Sequence, residues 1–202
     1  MKPILFIDFD GTICFDRFWR SLGPVEYDKL QSALFQQNKE MADGWMRGVY
    51  TSEQINLFLA DILDIPYDLL WQVFVEDAQT MSVSGELLVQ IDSFRDRYHT
   101  VLTTVNMDSL DRFTVPALDL GRYFDRIVNS YDDGRFKSDH GGTLFLDIAS
   151  ELEAPIQASY LFDDSQTNCE VFTKLGGTAC RVDKDNPVAA YLQSLVRTPE
   201  TC

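Results

Sequence analysis

Two pairs of carboxylates interrupt apolar runs in this sequence. Ile4-Leu-Phe-Ile7 leads into Asp8, and Asp10-Gly11-Thr12 follows after a single Phe. Tyr160-Leu-Phe162 leads into Asp163 and Asp164, with Asn168 a few residues on. An ionised carboxylate buried without a partner costs several kcal/mol. Two of them ~4 Å apart repel by about 4 kcal/mol at an effective dielectric of ~20. A hard cation such as Mg²⁺ relieves both penalties because it takes oxygen ligands. Asp and Gly are ordinary turn residues, so an acidic turn accounts for either pair alone. Two such pairs at the ends of two strands read more simply as one metal site. It would lie at the strand edge where open α/β sheets bind ligands.

Two further polar signals fall at strand ends. The run His99-Thr-Val-Leu-Thr103-Thr104 closes on hydroxyl residues, and Lys137 lies in the polar stretch Asp132-Asp-Gly-Arg-Phe-Lys137. Thr is at home in strands, so neither carries weight by itself.

The elements that must position these groups alternate between short β-like runs and helical patterns, which predicts a parallel sheet with crossover helices. The expected strands are Ile4–Phe9, His99–Thr104, Arg126–Ser130, Ser159–Phe162 and Thr178–Val182. The expected helices are Gly85–Arg97, Thr143–Glu153, Asn168–Leu175 and Pro187–Val196. Gly176-Gly177 marks a helix stop, and Pro187 suits a helix start. Roughly 90 residues separate the first two strands, where a crossover unit needs about 30. The excess reads as helical: a long amphipathic helix over Val25–Met41, a helix capped by Thr51 with Gln54, and another opened by Pro66. The expected organisation is therefore an α/β core of residues 1–14 and 85–202, with a helical domain, 15–84, inserted above the Asp8/Asp10 edge. Gly23-Pro24 and Ser82–Gly85 are its expected hinges.

Composition narrows the function. The 202 residues carry a net charge of −15, from 32 acidic and 17 basic residues, and are 45% hydrophobic. That field repels nucleic acid and anionic membranes, so neither is expected as a partner. A phosphate substrate would need a metal and selected cations. The four dispersed cysteines lack a CxxC pairing, which fits a reduced, cytoplasmic protein. Asp8 and Asp10 break the N-terminal apolar run, which argues against a secretory signal. No stretch approaches the ~20 apolar residues of a membrane span.

Taken together, Asp8-Phe-Asp10-Gly11-Thr12, Thr103 (with Thr104 as the competing register), Lys137 and Asp163-Asp164 resemble the four ordered motifs of the haloacid dehalogenase-like (HAD) hydrolase superfamily. The resemblance covers about 1–14 and 85–202. It implies a Rossmann-like parallel sheet with helices on both faces, and identifies the insert with a C1-type cap. It also implies a Mg²⁺-dependent phosphatase acting on a small phosphorylated metabolite. In that scheme Asp8 is the nucleophile and a metal ligand. Asp10 is the general acid/base, and its backbone carbonyl also binds Mg²⁺. The Thr hydroxyl holds the phosphoryl group, Lys137 neutralises charge, and Asp163 and Asp164 complete the metal site. The segment Ile13–Arg17 becomes the turn on which the cap moves. The usual Pro after the third-motif Lys is replaced here by Ser138.

Other residues carry weaker signals. Gly11, Thr12 and Asn168 belong to the motif loops and are candidate substrate contacts. Arg17 and Arg20 follow the first motif closely and would suit a second anionic group on a substrate, although surface ion pairs explain them equally well. Trp19, Trp45 and Trp71 at helical positions are more often core than pocket, and Cys14 reads as a small buried hydrophobe. His99 begins a strand with no obvious partner. Competing readings are a phosphosugar mutase with the same motifs, a dehalogenase, a receiver-like phosphate-accepting signalling module, and a non-catalytic protein that keeps the fold. Asp10 argues against the dehalogenase, and the helical insert argues against the receiver. A binding role fits poorly, because every chemical position of the motifs is filled.

Overall fold

The computed structural model describes residues 1–197. Five strands form one parallel sheet in the order β3-β2-β1-β4-β5. They are β1 (Ile4–Ile7), β2 (His99–Thr104), β3 (Arg126–Asn129), β4 (Tyr160–Asp163) and β5 (Thr178–Arg181). Each agrees with its expected strand to within a residue or two. The acid-bearing strands β1 and β4 are hydrogen-bonded neighbours at the centre of the sheet, and β2 flanks β1 on the other side.

Side chains alternate across the sheet, and each face is buried by helices. Ile4, Phe6, Val101, Val128 and Leu161 pack against Phe145 of α8 (Thr143–Glu151) and Phe172 of α9 (Gln166–Lys174). The opposite face offers Leu5, Ile7, Leu102 and Phe162 to Leu88 and Ile91 of α5 (Gly85–Asp92) and to Val188 and Leu192 of α10 (Val188–Arg197). This is the Rossmann-like arrangement with helices on both faces. Short helices α6 (Val115–Ala117) and α7 (Ser130–Asp133) follow β2 and β3.

Between β1 and α5 run α1 (Pro24–Gln31), α2 (Lys39–Trp45), α3 (Ser52–Leu63) and α4 (Tyr67–Gln79). The apolar cluster under Leu5 and Ile7 continues into this segment through Trp19, Leu30, Trp45, Leu59 and Phe74. Thr51 and Gln54 cap α3 reciprocally: the Thr51 N–H donates to Gln54 Oε1 (2.9 Å), and Thr51 Oγ1 accepts from the Gln54 N–H.

The single helix expected over Val25–Met41 is instead broken. Ser32–Gln37 winds as a wider π-helix, and Asn38 leaves helical geometry at φ −124°, ψ 47°. The Asn38 side chain donates to the Ala33 carbonyl (2.8 Å), a local bond that competes with helical continuation. Hydrophobic spacing alone does not register such a break. Among the described residues, no helix is long and apolar enough to cross a membrane.

Phe6 anchors the sheet on α8 and α9, with edge-on ring contacts at 5.2 Å to Phe145 and 5.5 Å to Phe172. Phe6→Ala is expected to cost about 3–5 kcal/mol of unfolding free energy, as measured by urea denaturation.

Candidate active site

The site is the polar continuation of one apolar face. Phe6 pairs with Val101 on β2 and with Leu161 on β4, and all three point toward α8 and α9. Two residues further along each strand, on the same face, stand Asp8, Thr103 and Asp163. Thr103 pairs with Val128, which belongs to that face. Thr104 is one residue out of phase and lies with Leu102 on the other side. The pleat therefore brings Thr103, rather than Thr104, beside Asp8.

Lys137 reaches this column from the loop between β3 and α8 and is 1% exposed. Its ammonium lies 2.8 Å from Asp8 Oδ1 and 2.5 Å from Asp163 Oδ2, and it donates to the Thr103 carbonyl at 3.1 Å. Burial alone would lower the Lys137 pKa; the Asp8 and Asp163 carboxylates reverse this and hold it above its ordinary value. Burial pushes Asp8 up to about 7, against the pull of Lys137 and with help from Asp163. Asp163 is fully buried and also accepts from the Ser165 N–H (2.8 Å) and from the Asn168 amide (3.1 and 3.2 Å).

Asp8, Asp163 and Asp164 offer carboxylate oxygens that all lie within 4.8 Å of one another. Lys137 balances one of these three charges, so the group retains an excess negative charge that suits a hard divalent cation. Asp164 is exposed and less committed than Asp163. Its pKa is raised by partial burial and by Asp163. The Asp10 carboxylate is not part of this group. It accepts from the Asn106 amide at 2.7 Å and faces Arg17 at 3.7 Å. Burial raises Asp10 to about 6, and Asp164 adds to the shift.

The loop after β1 folds back on itself, with the Ile13 and Cys14 N–H groups both donating to the Phe9 carbonyl at 3.0 Å. Gly11 sits at φ +73°, and a Cβ there would lie 2.4 Å from Asp164 Oδ2. The positive φ favours glycine here, and any side chain would also have to displace the Asp164 carboxylate. The hydroxyls of Thr12, Thr103 and Thr104 are buried without a hydrogen-bond partner. For Thr103 the strand phase places this unpartnered hydroxyl on the same face as Asp8.

Arg20 is not brought to this site. Its guanidinium donates to the carbonyls of Asp77 (2.7 Å) and Thr80 (3.0 Å) and to Thr80 Oγ1 (2.8 Å), inside the inserted segment. Three contributors were not apparent from the sequence. Asn106 orients Asp10. Asp108, 5% exposed, accepts from the Trp45 indole (2.8 Å), from the Ser52 hydroxyl (2.6 Å) and from Arg112 (2.7 Å). Arg47 holds Asp139 through both guanidinium nitrogens (2.5 and 3.2 Å) and lies 3.7 Å over the Phe136 ring, beside Lys137. An Asn or Asp after a strand reads as a turn, and a lone Arg reads as a solvated charge, so none of the three gives a local signal.

Solved structures share this architecture. A HAD family enzyme from Bacteroides thetaiotaomicron superposes with a TM-score of 0.74 at 15% identity, covering 98% of this chain and 99% of that one. The same enzyme has been crystallised with magnesium and inorganic phosphate. A predicted HAD-like family hydrolase from Porphyromonas gingivalis superposes at 0.71 and 20% identity, covering 98% of this chain and 100% of that one. A 2-haloacid dehalogenase from Pseudomonas syringae superposes at 0.62 and 13% identity, covering 89% and 85%. No protein-family model and no curated protein matches the chain by sequence. The chain has the haloacid dehalogenase-like fold.

Lys137→Met leaves Asp8 and Asp163 buried without their counter-charge. The expected loss is about 3–5 kcal/mol of stability at neutral pH, measured by urea unfolding without divalent cation. The raised pKa of Asp8 sets the sign of the pH dependence. Burial favours the protonated Asp8 carboxyl, so the deficit grows as pH rises and shrinks as Asp8 takes up its proton.

Proposed function

We propose that the protein is a Mg²⁺-dependent phosphomonoesterase that works through an aspartyl-phosphate on Asp8. The observation that carries this reading is the buried arrangement of Asp8, Lys137 and Asp163, with the unpartnered Thr103 hydroxyl on the same face. The magnesium and phosphate bound by the Bacteroides enzyme of the same fold support it. Asp8, Asp163 and Asp164 would hold the ion, which when bound lowers the repulsion between carboxylate and phosphate.

In the first step an Asp8 carboxylate oxygen attacks phosphorus, and the bond from phosphorus to the ester oxygen breaks. Asp10 gives its proton to that departing oxygen, releasing the alcohol. In the second step Asp10, now ionised, takes a proton from water. The water oxygen bonds to phosphorus, and the phosphorus–oxygen bond to Asp8 breaks, freeing inorganic phosphate and restoring both acids. Asn106 donates to Asp10 Oδ2 and holds the carboxyl in place, while Oδ1 faces Arg17. A pKa raised to about 6 by burial keeps a usable fraction of Asp10 protonated near neutrality. Lys137 balances Asp8 so that one anion can approach another. The helices between β1 and α5 act as a cap over the strand edge, excluding water during the first step. Asp10 separates this reading from a dehalogenase, whose reaction needs no second acid at that position.

Phosphate release from a panel of phosphomonoesters is expected to require Mg²⁺ and to stop in EDTA. Asp8→Asn is expected to lower kcat by at least about a thousandfold with an unchanged circular dichroism spectrum. Retained turnover in Asp8→Asn removes it as the nucleophile.

A further inference from the structure

We infer that the alcohol esterified in the substrate is small, uncharged and mainly apolar, about the size of one aromatic ring or a short branched chain. This rests on the phosphomonoesterase reading above and specifies its substrate class. Asp10 lines a cavity of ≈ 260 Å³ between the sheet edge and the inserted helices. A general acid must lie within hydrogen-bond reach of the oxygen it protonates. The group carried by that oxygen therefore occupies this cavity, which falls just below the ~300–1,000 Å³ usual for ligand sites.

The walls are apolar. Phe18, Trp19, Phe35, Met46, Met81 and Met107 line the cavity. Aromatic rings and polarizable thioethers grip apolar groups of varied outline. Trp19 is a fixed part of the wall. It is fully buried at φ +59°, a backbone conformation rare for a bulky residue. Its ring packs 4.8 Å from Phe74 and 5.9 Å from Trp45. The indole N–H donates to Asn56 Oδ1 at 3.0 Å, which occupies the one polar group of that side chain. The π-helical stretch Ser32–Gln37 supplies Phe35. Such wide turns recur where a helix is shaped around a site.

The polar lining carries no net positive charge to attract a second anion, and it is small beside the apolar walls. Arg17 is the cationic side chain of the cavity wall. It already faces Asp10 at 3.7 Å and donates to the Asp16 carbonyl at 3.0 Å. Asp16 adds a carboxylate, with Oδ2 accepting from the Ser82 N–H at 2.7 Å. With Asp10 protonated as the general acid, the Asp16 carboxylate offsets the Arg17 guanidinium in this wall, so a substrate carboxylate or second phosphate gains no net attraction. Gln31 is the uncharged polar side chain of the wall. Asp16, Arg17 and Gln31 can meet some hydroxyls, but the apolar side chains leave others of a sugar against carbon, and each hydroxyl left unpaired costs about 1–3 kcal/mol.

The test compares kcat/KM of the Mg²⁺-loaded full chain for benzyl phosphate, glucose 6-phosphate and 3-phosphoglycerate. The leaving alcohols are similarly poor, so the cavity and not intrinsic reactivity decides. Benzyl phosphate is expected to exceed both others by at least about tenfold. Phe35→Ala and, as a second variant, Met46→Ala are expected to lower kcat/KM for benzyl phosphate by about tenfold. Both should leave inhibition by inorganic phosphate unchanged, because phosphate alone does not reach these walls. Equal or better turnover of the sugar phosphate or the phosphoglycerate overturns this inference and leaves the phosphatase reading intact. Unchanged kcat/KM for benzyl phosphate in folded variants also overturns it. Absence of release from every ester with Mg²⁺ present overturns the phosphatase reading itself, and this inference with it.

Discussion

The ammonium of Lys137, buried between the carboxylates of Asp8 and Asp163, is the interaction on which the rest of the structure depends. Neighbouring parallel strands that end in acids at the same level would otherwise repel each other at the centre of the sheet. A cation supplied by the chain lets the apolar columns of β1 and β4 run directly into carboxylates without a gap for water. The requirement reaches outward. The loop after β3 must deliver a long side chain to one point, and Arg47 holds that loop from the side through Asp139 and Phe136.

The two faces of the sheet then separate two tasks. On the α8/α9 side, Asp8, Thr103 and Asp163 extend the pattern of Phe6, Val101 and Leu161, so the chemical groups inherit their spacing from strand pairing. On the other side the core runs on into α1–α4, and the segment that carries them lines the cavity beside Asp10 through Trp19, Gln31, Phe35 and Met46. In the proposed reaction the sheet handles phosphorus and the inserted helices handle the alcohol. Changes in Phe35 or Met46 can alter the second without disturbing the first.

Much of this was legible in the sequence because burial and charge conflict openly there. Asp8 and Asp163 stand out as acids that end apolar runs, and the strands and most core helices follow from composition and punctuation. The choice between Thr103 and Thr104 was not legible. Both are strand residues and both are buried, and only pairing with β1 and β3 gives Thr103 the phase of Asp8. Arg20 looked available because it follows the first acidic pair closely, but its partners at Asp77 and Thr80 lie far along the chain. Asn106 and Asp108 act through distant contacts that no local pattern encodes. The break at Asn38 arises from one side-chain bond to Ala33 within an otherwise helical pattern.

The fastening of the inserted segment carries a mechanical consequence. Trp45 and Ser52 are tied to Asp108 on the segment that follows β2. Arg47 is tied to Asp139 on the lysine loop, and the Ser130 hydroxyl donates to the Met46 carbonyl at 2.6 Å. No comparable bond joins Trp45–Ser52 to β4 among the described residues. Swinging this segment away as a rigid lever must either rupture a two-pronged ionic clasp or drag the Lys137 loop with it. In the proposed reaction, opening of the cap and charge balance would thereby be geared to the same joint.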